Sequence, residues 1–404
     1  MINRFLLLFA AVLSAVVIVQ IGCSTSSIKS QELLNTLNES KLDEIDLAVN
    51  ECIHDGNTPG GIFFLHIEKP NNEAQLEWVQ VYGNKSLSPN IETNSVDTIY
   101  DLASLTKVVA TAPSIMMLWE RGLLDIDAPA FTYLPAFTND LQKTITIRHL
   151  LTHTSGLRPG YSTKGWKGYD EGIATACKEL PKQEPGSKFV YSDINFILLG
   201  EIVRTVSGEK IDKFAKENIY LPLGMIDTGY NPSNDKLSRI APTQKVNNKI
   251  LCGVVHDPTA RNMDGIAGHA GVFSTVSDLS IYCNMLLHQG RYGKKLKKQL
   301  LKPETVHLMA TIQSPKALKD KRSLGWDVAT GYSSPRGNIF PAGESFGHTG
   351  FTGTSMWILP NEGIFYIFLS NRVHPDGKGN VLGLQRILGT KVAEMKGIEL
   401  EQQN

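Results

Sequence analysis

The chain has no surplus of either charge: 40 lysines and arginines stand against 40 aspartates and glutamates in 404 residues. A nucleic-acid partner calls for a basic excess, so none is expected. Cysteine is scarce, with five residues set far apart and never in C-x-x-C spacing. That excludes the usual structural zinc frame. Cys52, Cys177, Cys252 and Cys283 are expected as buried thiols, with a disulfide left open and its pairing unreadable. The sequence also lacks internal repeats and low-complexity tracts. Asp376-Gly377-Lys378-Gly379 misses the G-x-x-x-x-G-K-[ST] frame of a phosphate loop and reads as a turn. What remains is ordinary globular composition, 42% hydrophobic and 20% charged, enough for a large core with an inserted lobe.

The one strongly apolar run is at the start. Arg4 precedes Phe5–Val19, and Ile21-Gly22-Cys23-Ser24 follows. Residues 1–22 read as a secretory signal, too short to span a bilayer comfortably. The small residue before Cys23 resembles a bacterial lipobox, although Gln20 stands where leucine is preferred. The resemblance implies lipidation at Cys23, a polar tether over 23–40, and an exported protein anchored in the cell envelope.

Periodicity outlines the rest. Lys41–His54 has helical spacing. Gly60–Glu68 and Leu76–Val81 are β-rich around an Asn71-Asn72-Glu73 turn, predicting a hairpin. Val108–Met117 continues a helix that Pro113 should kink, with Gly122 as C-cap. Ile145–Leu157 predicts a short helix, Arg158–Asp170 a loop, and Glu171–Leu180, Asn195–Val206 and Lys210–Asn218 helices. Thr275 and Asp278 have capping-box spacing ahead of Leu279–Leu287. Leu324–Ala329, Ser345–Thr349, Thr354–Leu359 and Ile364–Leu369 read as strands, and Asn380–Lys396 as a closing helix. The simplest arrangement is a mixed α/β (α+β) fold. Its antiparallel sheet comes from both ends of the chain, flanked by helices, with a mainly helical lobe inserted at about 125–275. The domain runs over 41–396, with 397–404 as a tail.

Ser104-Leu105-Thr106-Lys107 opens the helix at Val108. Residues three apart share a helix face, so Lys107 lies beside the Ser104 hydroxyl. A serine is a poor nucleophile until its proton is taken, and a neighbouring ammonium favours the alkoxide. The tetrad alone also occurs by chance, with Ser104 as a cap and Lys107 solvated. Two further motifs follow in order: Tyr191-Ser192-Asp193, then His348-Thr349-Gly350 at the end of a strand. Taken singly, Tyr191 reads as a core tyrosine, Asp193 as a helix cap and His348 as structural. Acyl transfer needs a nucleophile, a proton acceptor and an oxyanion hole. Ser104 is the candidate nucleophile, and Lys107 and Tyr191 are the candidate proton handlers. The main-chain N–H groups of Ser104 and Phe351 are the candidate oxyanion donors. Thr349 offers a hydroxyl to substrate, Gly350 room for its close approach, and Gly353 a turn into the next strand.

The order and flanking text resemble the serine penicillin-recognising hydrolases: class C β-lactamases, D-alanyl-D-alanine carboxypeptidases, D-aminopeptidases and related esterases. DLASLTKVVAT, FVYSDINFILLGEIV and GHTGFTGTSMWILP carry the likeness, which extends over about Lys41 to Lys396. Val255–Thr275 is most similar to the low-molecular-weight penicillin-binding proteins with carboxypeptidase activity. The resemblance implies that Tyr191 is the base for acylation and for activating water. Two positions depart from the pattern. Asp193 stands where class C enzymes carry asparagine, and should pair with Lys107 and keep it charged. His348 stands where lysine is common, a weaker anchor for a substrate carboxylate. That tilts the expectation away from an efficient β-lactamase.

The expected activity is therefore an envelope serine hydrolase working through an acyl-enzyme, acting on peptidoglycan stem peptides. Carboxylesterase, weak β-lactamase and a non-catalytic peptidoglycan or β-lactam binder are the alternatives. No cofactor is implied. A metal site at His153, His256-Asp257 and His269 lacks helical i, i+4 spacing, so loop-shaping hydrogen bonds are expected there. Oligomeric state is not readable from the sequence.

Overall fold

Alternation of side chains along strands decides the architecture. In the computed structural model, which describes residue 38 and residues 40–69 and 75–398, eight strands pair antiparallel in one sheet. They are β1 (Gly60–Glu68), β2 (Gln75–Ser86), β3 (Glu92–Thr93), β4 (Lys321–Arg322), β5 (Asp327–Ala329), β6 (Phe346–Thr349), β7 (Ser355–Leu359) and β8 (Ile364–Ser370). Their spatial order is β4-β5-β6-β7-β8-β1-β2-β3. The two ends of the chain meet at β1 and β8, where Gly61 pairs with Ser370 and Ile67 with Ile364. The secretory signal, Cys23, nearly all of the tether, the Asn71-Asn72-Glu73 turn and residues 399–404 lie outside the described residues.

The helices that matter for the site are α1 (Ser40–His54), α2 (Ala112–Glu120), α3 (Asp193–Ser207), α4 (Val276–Leu287) and α5 (Leu382–Met395). Residues two apart on a strand share a face. Phe63, Leu65, Trp357, Tyr366 and Phe368 turn to one side, under α1 and α5. Ile62, Phe64, Met356, Ile358, Phe365 and Ile367 turn to the other, against α2, α3 and α4. Both faces are buried, so β8 reads as the unbroken apolar run IFYIFLS. Each fully buried side chain of this size contributes roughly 1.5–3 kcal/mol. A solvent-screened ion pair such as Lys213–Glu209 adds little beside this, so the two cores hold the fold.

The inserted segment is mainly helix and loop, as expected. It also contains the short strand Val272–Ser274, which pairs with Tyr100–Asp101 and with Gly229–Tyr230. This three-stranded ribbon ties the lobe to the segment that leads into Ser104.

Three local expectations need correction. Ser104 does not sit on a continuous helix: Ala103–Leu105 is a 3₁₀ turn and Lys107–Thr111 a π-helical turn before α2 begins. Pro113 is the second residue of α2 and follows directly on the π-helical turn, so the irregularity falls at that turn and not in the middle of one regular helix. The capping box at Thr275 is half made. Thr275 Oγ1 accepts the Asp278 N–H at 3.2 Å, but the Asp278 carboxylate turns to the Thr228 hydroxyl at 2.7 Å.

Candidate active site

Ser104 is presented by a strained turn. Ala103 has φ 47, a left-handed conformation that costs a side-chain-bearing residue energy. Asp101 holds it there: one carboxylate oxygen accepts the Ala103 N–H at 2.9 Å, the other the His256 N–H at 2.7 Å. Burial pushes Asp101 up to about 6. The β6–β7 connection clasps the same segment. Thr352 donates to the Asp101 carbonyl at 2.7 Å and Thr354 to the Leu102 carbonyl at 3.1 Å.

Lys107 is fully buried and donates to the Ser104 hydroxyl at 3.0 Å and to the His269 carbonyl at 3.1 Å. Its third neighbour is Asp193 Oδ1 at 2.7 Å. Burial works against the ammonium, but the Asp193 carboxylate and Tyr191 outweigh it and raise Lys107 above its ordinary value. Asp193 is the first residue of α3 and makes no cap there. The pairing of Asp193 with Lys107 expected from the sequence is what the geometry contains.

The Tyr191 ring lies 5.0 Å from Lys107 Nζ, centroid to nitrogen. Beneath it stacks His153, 4.4 Å between centroids. His153 Nδ1 accepts the Ser192 N–H at 3.1 Å, which fixes the ring and with it the entry to α3. Burial, Arg322 and Lys107 hold His153 well below the usual histidine range, so it is a neutral platform. The hydroxyl and the amine, three residues apart, thus meet the phenol from far along the chain at one cleft.

The cleft has a volume of about 510 Å³, and Ser104, Tyr191, Arg322, His348, Thr349 and Phe351 line it. The structure adds to two of the expected roles here. Burial, Arg322 and Lys107 push His348 well below the usual range. Its Nδ1 donates to the Thr349 carbonyl at 2.8 Å, which leaves Nε2 unprotonated and without a partner. His348 is therefore an acceptor, not a cationic anchor. Gly350 lines the cleft, and packing requires a glycine there in addition to any approach of substrate. A Cβ there would meet the Thr354 hydroxyl at 2.1 Å and the Leu102 carbonyl at 2.4 Å. Gly353 does sit at positive φ, +110, in the turn between β6 and β7.

Sequence reasoning missed Arg322. Its side chain is fully buried at the edge of β4, its Cζ 5.9 Å from the Tyr191 ring centroid. Nη2 donates to the Gly325 carbonyl at 2.7 Å, while Nε and Nη1 have no hydrogen-bond partner. Asp327 Oδ1 lies 3.6 Å from Nη1, beyond hydrogen-bond length. A lone arginine before a strand carries no pattern, and only the fold aims it at Ser104's cleft. Of the histidines weighed for a metal site, His153 lies under Tyr191 and His256 faces Gln244, while His269 faces Asp257 and stays close to it and to Asp193. The four cysteines among the described residues are free; Cys177 and Cys283 are buried, Cys52 and Cys252 partly so.

A family profile described as Beta-lactamase matches residues 74–390. A protein of Escherichia coli (strain K12) described as "Putative D-alanyl-D-alanine carboxypeptidase" is 30% identical over 392 residues, covering 88% of this chain and 89% of that one. A protein of Salmonella typhimurium with the same description is 29% identical over 371 residues, covering 83% and 84%. Among solved structures, a class C beta lactamase from Rhodobacter sphaeroides matches with TM-score 0.66 at 19% identity, over 86% of this chain and 99% of that one. The octameric penicillin-binding protein homologue from Pyrococcus abyssi matches with TM-score 0.68 at 20% identity, over 88% and 77%. At such identities the structural likeness speaks for the fold alone.

Proposed function

Because the chain belongs to the beta-lactamase family and is a serine hydrolase, we propose that it removes the terminal D-alanine from peptidoglycan stem peptides, as a D-alanyl-D-alanine carboxypeptidase. The observation that carries the reading is Arg322, a desolvated guanidinium with two unpartnered nitrogens beside the serine. A carboxypeptidase substrate ends in a free carboxylate, which matches a guanidinium's paired donors. A simple ester brings no such group.

In this reading Ser104 Oγ attacks the carbonyl of the penultimate D-alanine. The phenolic oxygen of Tyr191 takes the hydroxyl proton, and the Lys107 ammonium, 3.0 Å from Oγ, stabilises the developing charge. The oxyanion rests on the N–H groups of Ser104 and Phe351. The C–N bond breaks, and Tyr191 returns its proton to the departing D-alanine amine. Water then attacks the acyl-enzyme, gives its proton to Tyr191, and releases the shortened peptide as Ser104 recovers the proton. His348 Nε2 is placed to accept a hydrogen bond from substrate.

Labelling tests the reading. A fluorescent penicillin and a fluorophosphonate should both mark the wild type and neither should mark Ser104→Ala. D-alanine should appear from a stem pentapeptide. Fluorophosphonate labelling without penicillin labelling supports an esterase. No Ser104-dependent labelling leaves a non-catalytic binder. We further propose a lipid anchor at Cys23 that holds the enzyme in the cell envelope. Among the described residues no helix is long and apolar enough to cross a membrane. Metabolic labelling with a fatty-acid analogue should fail in Cys23→Ala.

A further inference from the structure

The loop over residues 253–271 runs behind the nucleophile and carries charge that the steps above do not use. Asp257 caps the short helix Pro258–Asn262, its Oδ1 accepting the Ala260 N–H at 2.7 Å. The same oxygen lies 2.8 Å from His269 Nε2. The His269 side chain is 1% exposed, and its own main-chain carbonyl is the one that receives Lys107 Nζ. Ligand-type atoms of Asp193, Asp257 and His269 all lie within 4.8 Å of one another. Such a nest suits a cation, and the cation beside it is the Lys107 ammonium, 2.7 Å from Asp193.

We propose that Asp257 and His269 form a positioning dyad for Lys107. The dyad acts in two ways. The Asp257–His269 bond pins the residue whose carbonyl aims the ammonium at Ser104. The Asp257 carboxylate adds a second counter-charge behind the one from Asp193. A bond that merely shaped the loop would need neither the burial of His269 nor the carbonyl contact. Burial opposes the Asp257 charge, but His269, the Ala260 N–H and Lys107 outweigh it and hold the carboxyl well below its usual range. The charged and titratable groups facing this cluster are Asp193 and Tyr191 at the start of α3, His153 beneath them and His348 on β6. Asp101, His256 and Tyr161 face Asp257. The inference rests on reading Lys107 as the partner of Ser104.

The test uses the full chain and follows the second-order rate of fluorophosphonate labelling from pH 5 to 11. This reports Ser104 activation without assuming a substrate. Asp257→Asn should label about 10- to 100-fold more slowly at neutral pH. Its alkaline limb should fall by about one pH unit, because an ammonium that loses a nearby anion gives up its proton at lower pH. His269→Gln keeps an N–H for Asp257 and should stay within about threefold of wild type; His269→Ala should behave like Asp257→Asn. Where Asp257→Asn does not fold, the contrast between the two His269 variants decides the matter. Wild-type rates and an unshifted limb in the folded variants, with only a lowered melting temperature, would overturn the dyad. Failure of the wild type to label would instead defeat the reading of Ser104 itself.

Discussion

Arg322→Gln separates recognition of a carboxylate from acyl chemistry in general. The guanidinium is fully buried, lies 5.9 Å from the Tyr191 ring and has two nitrogens without a hydrogen-bond partner, Nη1 standing 3.6 Å from Asp327. Losing one partner of a buried, hydrogen-bonded charge pair costs about 2–5 kcal/mol. The lower part of that range applies here, because Asp327 Oδ1 at 3.6 Å already offsets part of the guanidinium's charge. A loss of about 2–3 kcal/mol corresponds to a fall of roughly 30- to 150-fold in kcat/KM. The assay compares a peptide ending in D-Ala-D-Ala with the same peptide amidated at its C-terminus. The free acid should lose that factor and the amide almost nothing, so the wild-type preference for the acid collapses. Arg322→Gln also leaves the buried Asp327 carboxylate without its counter-charge, so the variant should be less stable than wild type, and the acid-to-amide ratio is read on folded enzyme. Equal losses on both peptides, or none on either, would refute the assignment of Arg322 to the substrate carboxylate.

Other expectations follow from the same geometry. Tyr191→Phe keeps the stack on His153 at 4.4 Å and removes only the hydroxyl, so acylation should fall about 10²- to 10⁴-fold with an unchanged melting temperature; a smaller loss would move the base elsewhere. Asp193→Asn removes the carboxylate 2.7 Å from Lys107, so the ammonium should give up its proton at lower pH and the alkaline limb of kcat/KM should fall; an unchanged pH profile would contradict the pairing. Asp101, raised from 3.8 to about 6, binds its proton more tightly folded than unfolded. Stability should therefore fall as pH rises from about 4 to 6, by at most about 3 kcal/mol, and level off above. Urea unfolding at stepped pH should show this slope in the wild type and lose it in Asp101→Asn; the same slope in both would exclude Asp101 as its source.

The parts of the site that were legible in the sequence are the local ones. Ser104 and Lys107 are three residues apart, so one turn of helical backbone brings them together whether that turn is α or, as found, 3₁₀ leading into π. Tyr191 and Asp193 were readable because they sit at the start of a strongly apolar helix, whose position in the core fixes where its first turn points. The sheet was legible because β1, β7 and β8 are short apolar runs bounded by turn residues. Arg322 was not legible, since its meaning depends on burial and on neighbours many residues away; Asp257 and His269 were readable as loop-shaping hydrogen-bonders, but their place beside Lys107 was not. How far the charge of His348 is suppressed was not legible for the same reason. Its charge depends on Arg322 and Lys107, which no spacing rule connects to it. The turn at Gly350 follows the contact with the Leu102 carbonyl, which again only the folded chain reveals.

The central claim is that Ser104 becomes acylated by a peptide that loses its terminal D-alanine. Rapid acid quench of the enzyme with a stem pentapeptide, followed by mass spectrometry of the digested protein, tests this directly. The expected result is an adduct equal to the pentapeptide less one D-alanine, on the fragment that contains Ser104, with free D-alanine released and both signals absent in Ser104→Ala. An adduct on another residue, or D-alanine release that survives Ser104→Ala, would contradict it.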